Sequence, residues 1–448
     1  MQFPTGLLEE IMQDSRRSII AWSVYDWANS AFATAVMAGF FPIFFSSYWS
    51  TSSSVQQSTF YLGLANSLEA IIVAILAPVL GAIADKGSYK MRFLIFFSFL
   101  GCVMTGALWF VQAGNWQFAV LFYILATVGF SGSLIFYDAL LPAVASEKKV
   151  DFVSSLGYGL GYIGGGLLFL INVMMYLFPE KFGFASDVQA VRAAFVTVAV
   201  WWAVFTVPIL VFVKEPKSEQ LLKPNQAIKA GLKQFAVTFR AIKSLKTVGL
   251  FLLAYWFYID GVDTIIRMAV DYGSAIGFPS SSLIVALLIT QFVAFPSALA
   301  YNWFGKKIGV RKALLVAIGA YSFIAVLGFF MSQVWHFYVL ACMVGLFQGG
   351  IQALSRSYFT RLIPTEYSAE FFGFFNMLGK FAAIIGPLLL GGVTLLTGSN
   401  RLGILSIIIL FIAGGILLSK VREEEGAAGI EAFRQSVTAK ELKSMEIE

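Results

Sequence analysis

The chain has 448 residues, of which 58% are hydrophobic and only 12% are charged. Soluble domains carry roughly 25% charged residues, so this composition excludes an ordinary soluble protein and predicts one that crosses a lipid bilayer several times. The net charge of +6 comes from basic residues dispersed along the chain, which disfavours a nucleic-acid partner. Two cysteines in separate apolar runs and a single histidine disfavour a disulfide framework or a metal site.

Twelve apolar segments follow one another, and each is long enough to cross the ~30 Å hydrocarbon core of a bilayer. They are predicted near residues 19–47, 59–84, 93–112, 116–140, 154–177, 190–213, 247–270, 281–302, 312–331, 336–361, 370–396 and 401–419. The expected fold is all-α and integral to the membrane, with twelve transmembrane helices as two six-helix bundles. The expected divisions are an N-terminal bundle, a cytoplasmic linker with an amphipathic helix, a C-terminal bundle and a cytoplasmic tail, at 1–213, 214–246, 247–420 and 421–448.

Basic residues are concentrated on one side of the predicted bundle. Arg16 and Arg17 precede span 1, and the linker and the tail add further lysines and arginines on that side. The opposite side has only Lys181, Arg192 and Arg401. By the positive-inside rule, this asymmetry predicts that both termini are cytoplasmic, with the plasma membrane as the location if the source is bacterial.

Several ionisable and amide side chains lie inside the predicted spans. Such residues are costly in hydrocarbon and usually face a bundle interior or a water-filled cavity, so they are candidate functional residues. Asp26 and Asn29 share one face of span 1. Asn376 and Lys380 likewise share one face of span 11. The candidates for solute binding or proton coupling are Asp26, Asn29, Asn66, Glu69, Asp260, Gln348, Gln352, Asn376 and Lys380.

A second set of charges is assigned to gating or to structural pairing. The segment GAIADKGSYKMR at 81–92 forms a short basic turn between spans 2 and 3. There, Asp85 is placed to accept from backbone amides or to pair with a basic residue. Asp263 and Arg267 are four residues apart on span 7 and are expected to pair with each other. The full set is Asp85, Lys86, Lys90, Arg92, Asp138, Asp263, Arg267 and Arg356.

The turn at 81–92 resembles the signature loop between spans 2 and 3 of the major facilitator superfamily. Further segments resemble one branch of it, the autophagy-related vacuolar amino-acid effluxers of fungi and their bacterial relatives: YDWANSAF (25–32), SSLGYGLGYIGGG (154–166), GLFQGGIQALSRS (345–357), AEFFGFFNMLGKFAAIIGP (369–387) and TGSNRLGILS (397–406). The resemblance implies a twelve-helix fold, alternating access and, in the fungal members, efflux of amino acids. Asp26, Asn29 and Lys380 fall within the matching motifs. No acidic residue of the second half aligns with Asp85, so control of the cytoplasmic gate is expected to rest on the N-terminal half.

The expected function is a secondary active transporter that moves a small organic solute, an amino acid or a related carboxylate, by alternating access with proton coupling. Efflux is the expected direction. In this hypothesis Lys380 binds the solute carboxylate, while Asp26 or Glu69 takes the ammonium group or the coupling proton. A passive uniporter and a non-transporting membrane sensor with the same fold remain alternatives. The sequence has no nucleophile–base pair, metal cluster or phosphate-binding loop, so neither an enzyme nor a cofactor is expected, and the chain is expected to act as a monomer.

Overall fold

The structure is a computed structural model that describes residues 13–51, 55–215, 226, 229, 245–426, 428–432 and 434–435. Within this part of the chain there are twelve long helices. They are α1 (Arg16–Trp49), α2 (Val55–Gly87), α3 (Lys90–Ala107), α4 (Trp116–Ala139), α5 (Val150–Leu177), α6 (Asp187–Phe212), α7 (Lys246–Ala275), α8 (Ser280–Ile308), α9 (Val310–Phe330), α10 (Val334–Leu362), α11 (Ser368–Thr397) and α12 (Asn400–Ser419). Two stretches of α1, Phe32–Phe40 and Phe45–Trp49, are π-helical.

Eleven of the helices in the described residues are long and apolar enough to span a bilayer. The remaining one, α11, has 30 residues and contains the apolar segment Ile385–Thr394. The predicted all-α fold with twelve transmembrane helices is therefore confirmed. Several helices extend beyond the predicted spans, because helical hydrogen bonding satisfies the backbone groups near the membrane surface after the apolar run has ended.

The helices pack in a pattern that repeats after six. In the first half, α1 packs against α5 and α6, α3 packs against α4 and α6, and α2 packs against α4. In the second half, α7 packs against α11 and α12, α9 packs against α10 and α12, and α8 packs against α10. Each helix thus has the same neighbours as the helix six places along, as expected of a parallel repeat of two six-helix halves.

The two halves meet where α2 contacts α11 and where α5 contacts α8 and α10. Glycines permit the first of these contacts. A Cβ atom at Gly81 would clash with the backbone of Ala369, and one at Gly373 would lie 2.7 Å from the carbonyl oxygen of Ala77. The backbones of α2 and α11 therefore touch with no side chain between them, which is the usual effect of small residues at a membrane helix crossing.

Both described ends of the chain lie at one end of the bundle, which we call the terminal face. Asp14 donates its backbone amide to a carbonyl of the α4–α5 connection, and Arg311 donates to the carbonyl of Val421 beyond α12. Asp85 near the end of α2 accepts from the amide of Glu370 near the start of α11. The terminal face therefore collects both chain ends and the connections from both halves.

The tail begins at this face. Residues 423–426 and 428–432 are helical, and Arg434 forms a 2.8 Å ion pair with Glu366 in the α10–α11 connection. Most of the linker at 214–246, including its predicted amphipathic helix, lies outside the described residues. The predicted division of the chain at these two segments stays a prediction.

Candidate functional site

A buried guanidinium joins the two halves near the terminal face. Arg356 on α10 is 1% exposed, and its Nε and Nη2 donate to Oγ and the carbonyl of Ser154 on α5, both at 2.9 Å. Nη1 donates to Asp138 Oδ1 at 3.1 Å, and Nη2 and Nη1 lie 3.3 and 3.4 Å from Asp26 Oδ2. On α11, Asn376 donates to Asp138 Oδ2 at 3.3 Å. One cation of the second half is thus held by α1, α4 and α5 of the first.

Aromatic rings enclose the same guanidinium. Its carbon lies 4.2 Å from the ring centre of Tyr158, 4.8 Å from Trp22 and 5.4 Å from Tyr137. The Tyr137 hydroxyl donates to Asp26 Oδ2 at 2.8 Å, and the Trp22 and Tyr137 rings stack with centres 4.2 Å apart. These faces attract the cation and exclude water, so each ionic contact of Arg356 is stronger than it would be at a surface. We call Arg356, Asp26, Asp138 and the three rings the Arg356 cluster.

Local sequence explains how the cluster fits. Trp22 and Asp26 are four residues apart and therefore share one face of α1. Gly157 on α5 leaves room for the carboxylate, because a Cβ atom there would lie 2.6 Å from Asp26 Oδ2. Ser154 also donates to the carbonyl of Ala353 at 2.8 Å, which fixes α5 against α10. The sequence suggested a cavity-lining role for Asp26 and a gating role for the other two charges, whereas the structure brings all three together.

A second polar contact joins α2 to α11 at the terminal face. Asp85 accepts from the amides of Ala369 and Glu370 at 3.2 and 2.9 Å, in the first turn of α11, where a carboxylate also complements the helix dipole. Lys90 lies 2.8 Å from Asp85 Oδ1 and donates to Ser368 Oγ at 2.8 Å. The predicted acceptor role of Asp85 thus corresponds to contacts with the opposite half.

The other two basic residues of this turn face aromatic rings. The ammonium of Lys86 lies 5.4 Å from the ring centre of Tyr367, which belongs to the second half. Arg92 lies 5.2 Å from the ring of Tyr89 in its own half. Of this pair, Lys86 is therefore the one whose ring contact crosses between the halves.

Two further contacts at this face were missed by sequence reasoning. Arg361 at the end of α10 pairs with Asp151 at the start of α5, again across the halves. Glu215, just after α6, accepts from the amides of Lys90 and Met91 at 2.7 and 3.1 Å and so caps α3. Burial raises the pKa of Glu215 above its usual 4.5, and these amide hydrogen bonds oppose the shift. No local pattern points to a partner 125 residues away.

Two of the predicted carboxylates form contacts within their own halves. Glu69 on α2 accepts from Ser131 Oγ on α4 at 2.8 Å. Both oxygens of Asp260 on α7 lie 3.0 Å from the amide of Gly386 on α11, and Thr264 lies 3.4 Å away. Gly386 precedes a proline, which weakens helical hydrogen bonding locally, and Asp260 satisfies the amide there.

The predicted amides are distributed around the middle of the bundle. Asn29 is 2% exposed, and its Nδ2 has no partner among the described residues. The Tyr162 hydroxyl of α5 donates to Gln352 Oε1 on α10. Side chains of Asn66, Arg267 and Lys380 lie outside the described residues, although their backbones are helical. Asp263 is half-buried on α7, and its predicted pairing with Arg267 stays a prediction.

An apolar cleft of about 70 Å³ lies among α7, α8, α9 and α10 of the second half. Gln348 on α10 contributes to its lining, is 7% exposed, and has no partner for its Oε1 among the described residues. Thr290 is the other polar side chain of the lining apart from the hydroxyl of Tyr272. The cleft therefore suits apolar groups better than charged ones.

Comparison with known proteins agrees with this architecture. A family model described as "Vacuole effluxer Atg22 like" matches residues 14–430. The uncharacterized MFS-type transporter YxiO of Bacillus subtilis is 40% identical over 406 residues, covering 90% of this chain and 94% of that protein. Autophagy-related protein 22 of Yarrowia lipolytica is 23% identical, covering 80% of this chain and 75% of that protein.

The fold matches a solved transporter. The major facilitator superfamily proton:xylose symporter XylE aligns with a TM-score of 0.67 at 13% identity, covering 93% of this chain and 97% of that one. The family model and the 40% identity to YxiO, an MFS-type transporter, show that the protein is a multi-pass integral membrane transporter of small molecules and not an enzyme. Because the family model spans nearly the whole chain and YxiO is an MFS-type transporter, the protein belongs to the Atg22-like vacuole effluxer family of the major facilitator superfamily.

Proposed function

We propose that the protein exports a small organic solute, an amino acid or a related carboxylate, in exchange for protons by alternating access. The description of its family as vacuole effluxers supports efflux from a compartment as the kind of transport. In this proposal both termini, and with them the terminal face, are cytoplasmic, as the positive-inside rule predicts. One chain carries both halves, so a monomer is sufficient for the cycle.

The observation that carries the proposal is the closure of the terminal face by polar contacts between the halves. Arg356 is bound by Asp26 and Asp138, and Asp85 is bound to the first turn of α11. Alternating access requires contacts on each side that break and re-form as one half rocks on the other. Hydrogen bonds and ion pairs at helix ends meet this need better than an interdigitated apolar core, since they form and break as discrete units. We therefore assign the structure to the state closed towards the cytoplasm.

The solute is proposed to bind between the halves on the outer side of the Arg356 cluster. Lys380 follows Asn376 by one helical turn on α11, and Asn376 contacts the cluster through Asp138. This register places Lys380 one turn deeper in the membrane than the cluster. Its ammonium would bind the solute carboxylate, and Gln352 with Tyr162 lies across the same interface.

Transport in proteoliposomes tests this function. Labelled amino acids are offered with and without a pH gradient across the membrane. We expect saturable flux that a pH gradient accelerates and that Lys380→Ala abolishes. The matched control is Lys306→Ala, which removes an exposed lysine at the terminal face. Saturable flux without any response to the gradient would indicate a passive uniporter, and ligand binding without flux would indicate a sensor.

A further inference from the structure

The Arg356 cluster contains more acid than base. Arg356 is 1% exposed, Asp26 4% and Asp138 6%, and the two carboxylates face one guanidinium. With its carboxylates and guanidinium ionised, the cluster has a net charge of −1, counted over the described side chains. Such a charge is expensive away from water, and a buried carboxylate usually takes up a proton instead.

The two carboxylates are not equivalent partners of Arg356. Oδ2 of Asp26 accepts from the Tyr137 hydroxyl at 2.8 Å and faces two guanidinium nitrogens. Asp138 has one contact with the guanidinium, through Oδ1, and among the described residues its Oδ2 has only the 3.3 Å contact with the Asn376 amide. Among the described residues Asp138 therefore has two donor contacts, whereas Asp26 has three, and two of the three come from the guanidinium.

We infer that Asp138, rather than Asp26 or Glu69, is the proton-binding residue of the transport cycle, and that its protonation weakens the contact of Arg356 between the halves. This inference rests on the proton coupling proposed above. A proton on Oδ2 leaves Oδ1 as a neutral acceptor for Arg356. Protonation thus turns the ion pair of Arg356 and Asp138 into a hydrogen bond from a cation to a neutral carboxyl group. The attraction between opposite charges is lost, so the protonated cluster holds the halves together less firmly.

The groups around Asp138 belong to five helices. The titratable and charged ones among the described residues are Asp26 on α1, Tyr137 on α4, Tyr158 on α5, Asp263 on α7 and Arg356 on α10. Asp26 remains the ionised partner of Arg356, because it accepts from two cationic nitrogens and a hydroxyl. Asp263 interacts electrostatically with Tyr158.

The inference gives the cycle a direction. In the state closed towards the cytoplasm, a proton from outside reaches Asp138 and weakens the cytoplasmic contact. The terminal face then opens, the proton leaves to the more alkaline cytoplasm, and solute binds. The ionised carboxylate re-forms its contact with Arg356 when the face closes again. One proton therefore moves inward for each outward movement of solute.

Distance measurements on the full-length protein test the inference without any solute. Spin labels are placed at Lys148→Cys and Lys306→Cys, two exposed positions of the terminal face in opposite halves, in a Cys102→Ala, Cys342→Ala background. As pH falls from about 8 to about 5, we expect the open-to-closed ratio to rise about tenfold, because one charged contact of Arg356 becomes neutral. Asp138→Asn should show no pH response and a ratio shifted towards open.

The matched control is Asp151→Asn, which removes the neighbouring pair with Arg361. This variant should shift the ratio towards open at every pH and keep the pH response. Asp138→Glu should restore the response, which separates a lost proton site from a misfolded protein. A wild-type pH response in Asp138→Asn, or its loss in Asp151→Asn, would overturn the inference.

Flux measurements separate this inference from the proposed function. Asp138→Asn should lose the acceleration by a pH gradient while exchange of labelled for unlabelled solute continues. If wild-type protein shows no proton-driven flux, the proposed function fails, whatever the distance measurements show. If wild-type flux is proton-driven and remains so in Asp138→Asn, only the assignment of Asp138 fails.

Discussion

Replacement of Gly157 by alanine tests how closely α5 fits the Arg356 cluster. A Cβ atom at this position would lie 2.6 Å from Asp26 Oδ2 and 3.0 Å from both the Trp22 ring and the Tyr137 hydroxyl. Ordinary van der Waals contact begins at 3.4 Å, so the carboxylate must move by the difference, about 0.8 Å, or α5 must separate from α1. Either shift carries Asp26 away from Arg356, to which its contacts are already 3.3 and 3.4 Å long.

The expected energy follows from three contributions. Overpacking of this kind costs about 1–3 kcal/mol, and weakening a hydrogen bond to a charged group costs about 1.5–3 kcal/mol. Alanine has a higher helix propensity than glycine, and this difference offsets about 1 kcal/mol of the cost. We therefore expect Gly157→Ala to destabilise the closed state by about 1.5–5 kcal/mol. The cluster lies between the halves, so the loss should appear as opening of the terminal face.

The assay compares the label distance across the terminal face and the melting temperature with those of a matched variant. Gly319→Ala on α9 has the same gain in helix propensity, and its Cβ atom would have nothing within 4 Å. We expect this control to stay closed and to melt at or slightly above the wild-type temperature. If both variants behave alike, the fit of α5 against Asp26 does not stabilise the closed state and the reasoning is wrong.

Three further predictions concern single contacts. Asp85→Asn removes the charge that faces Lys90 and the start of α11, so we expect the closed state to lose about 2 kcal/mol, measured by the same label distance. Burial raises the pKa of Glu215 above 4.5, so its contribution to stability is fully present below pH 4.5 and is lost as pH rises through the higher folded-state pKa. The melting temperature should rise as pH falls from above the folded-state pKa of Glu215 to 4.5, and Glu215→Gln should reduce this rise. An unchanged dependence of the melting temperature on pH in the variant would show that Glu215 does not cause it. Asp260→Ala leaves the Gly386 amide unsatisfied and should lower stability by about 1–3 kcal/mol. A large change in solute affinity at an unchanged melting temperature would instead assign Asp260 to the binding site.

The twelve helices were predictable because length and hydropathy are local properties of the chain. The partners of Arg356 were not, since they are 218 and 330 residues away in sequence and depend on the rotation of three other helices. Spacing along one helix led to the pairing of Asp263 with Arg267, the nearest residue of opposite charge. Spacing of this kind says nothing about contacts between helices that are distant in sequence.

One signal in the sequence did point towards the cluster. An arginine inside a span requires a partner of opposite charge, and Asp26 and Asp138 lie within about two or three turns of helix ends on the same predicted side. Depth alone could not decide between these carboxylates and Glu69. The partners of Asp260 and Glu215 could not be predicted for another reason. They are backbone amides, which every residue but proline possesses.

The bare crossing of α2 and α11 has a consequence for the speed of the cycle. Where Gly81 meets Ala369 and Gly373 meets Ala77, no side chains interlock, so one backbone can roll over the other without waiting for rotamers to change. The activation barrier at this contact then comes mainly from breaking the hydrogen bonds of Asp85 and those of the Arg356 cluster. Turnover is thereby controlled by a few polar groups, and a larger residue at Gly81 would separate the two helices and lengthen the contacts of Asp85 with the amides of Ala369 and Glu370.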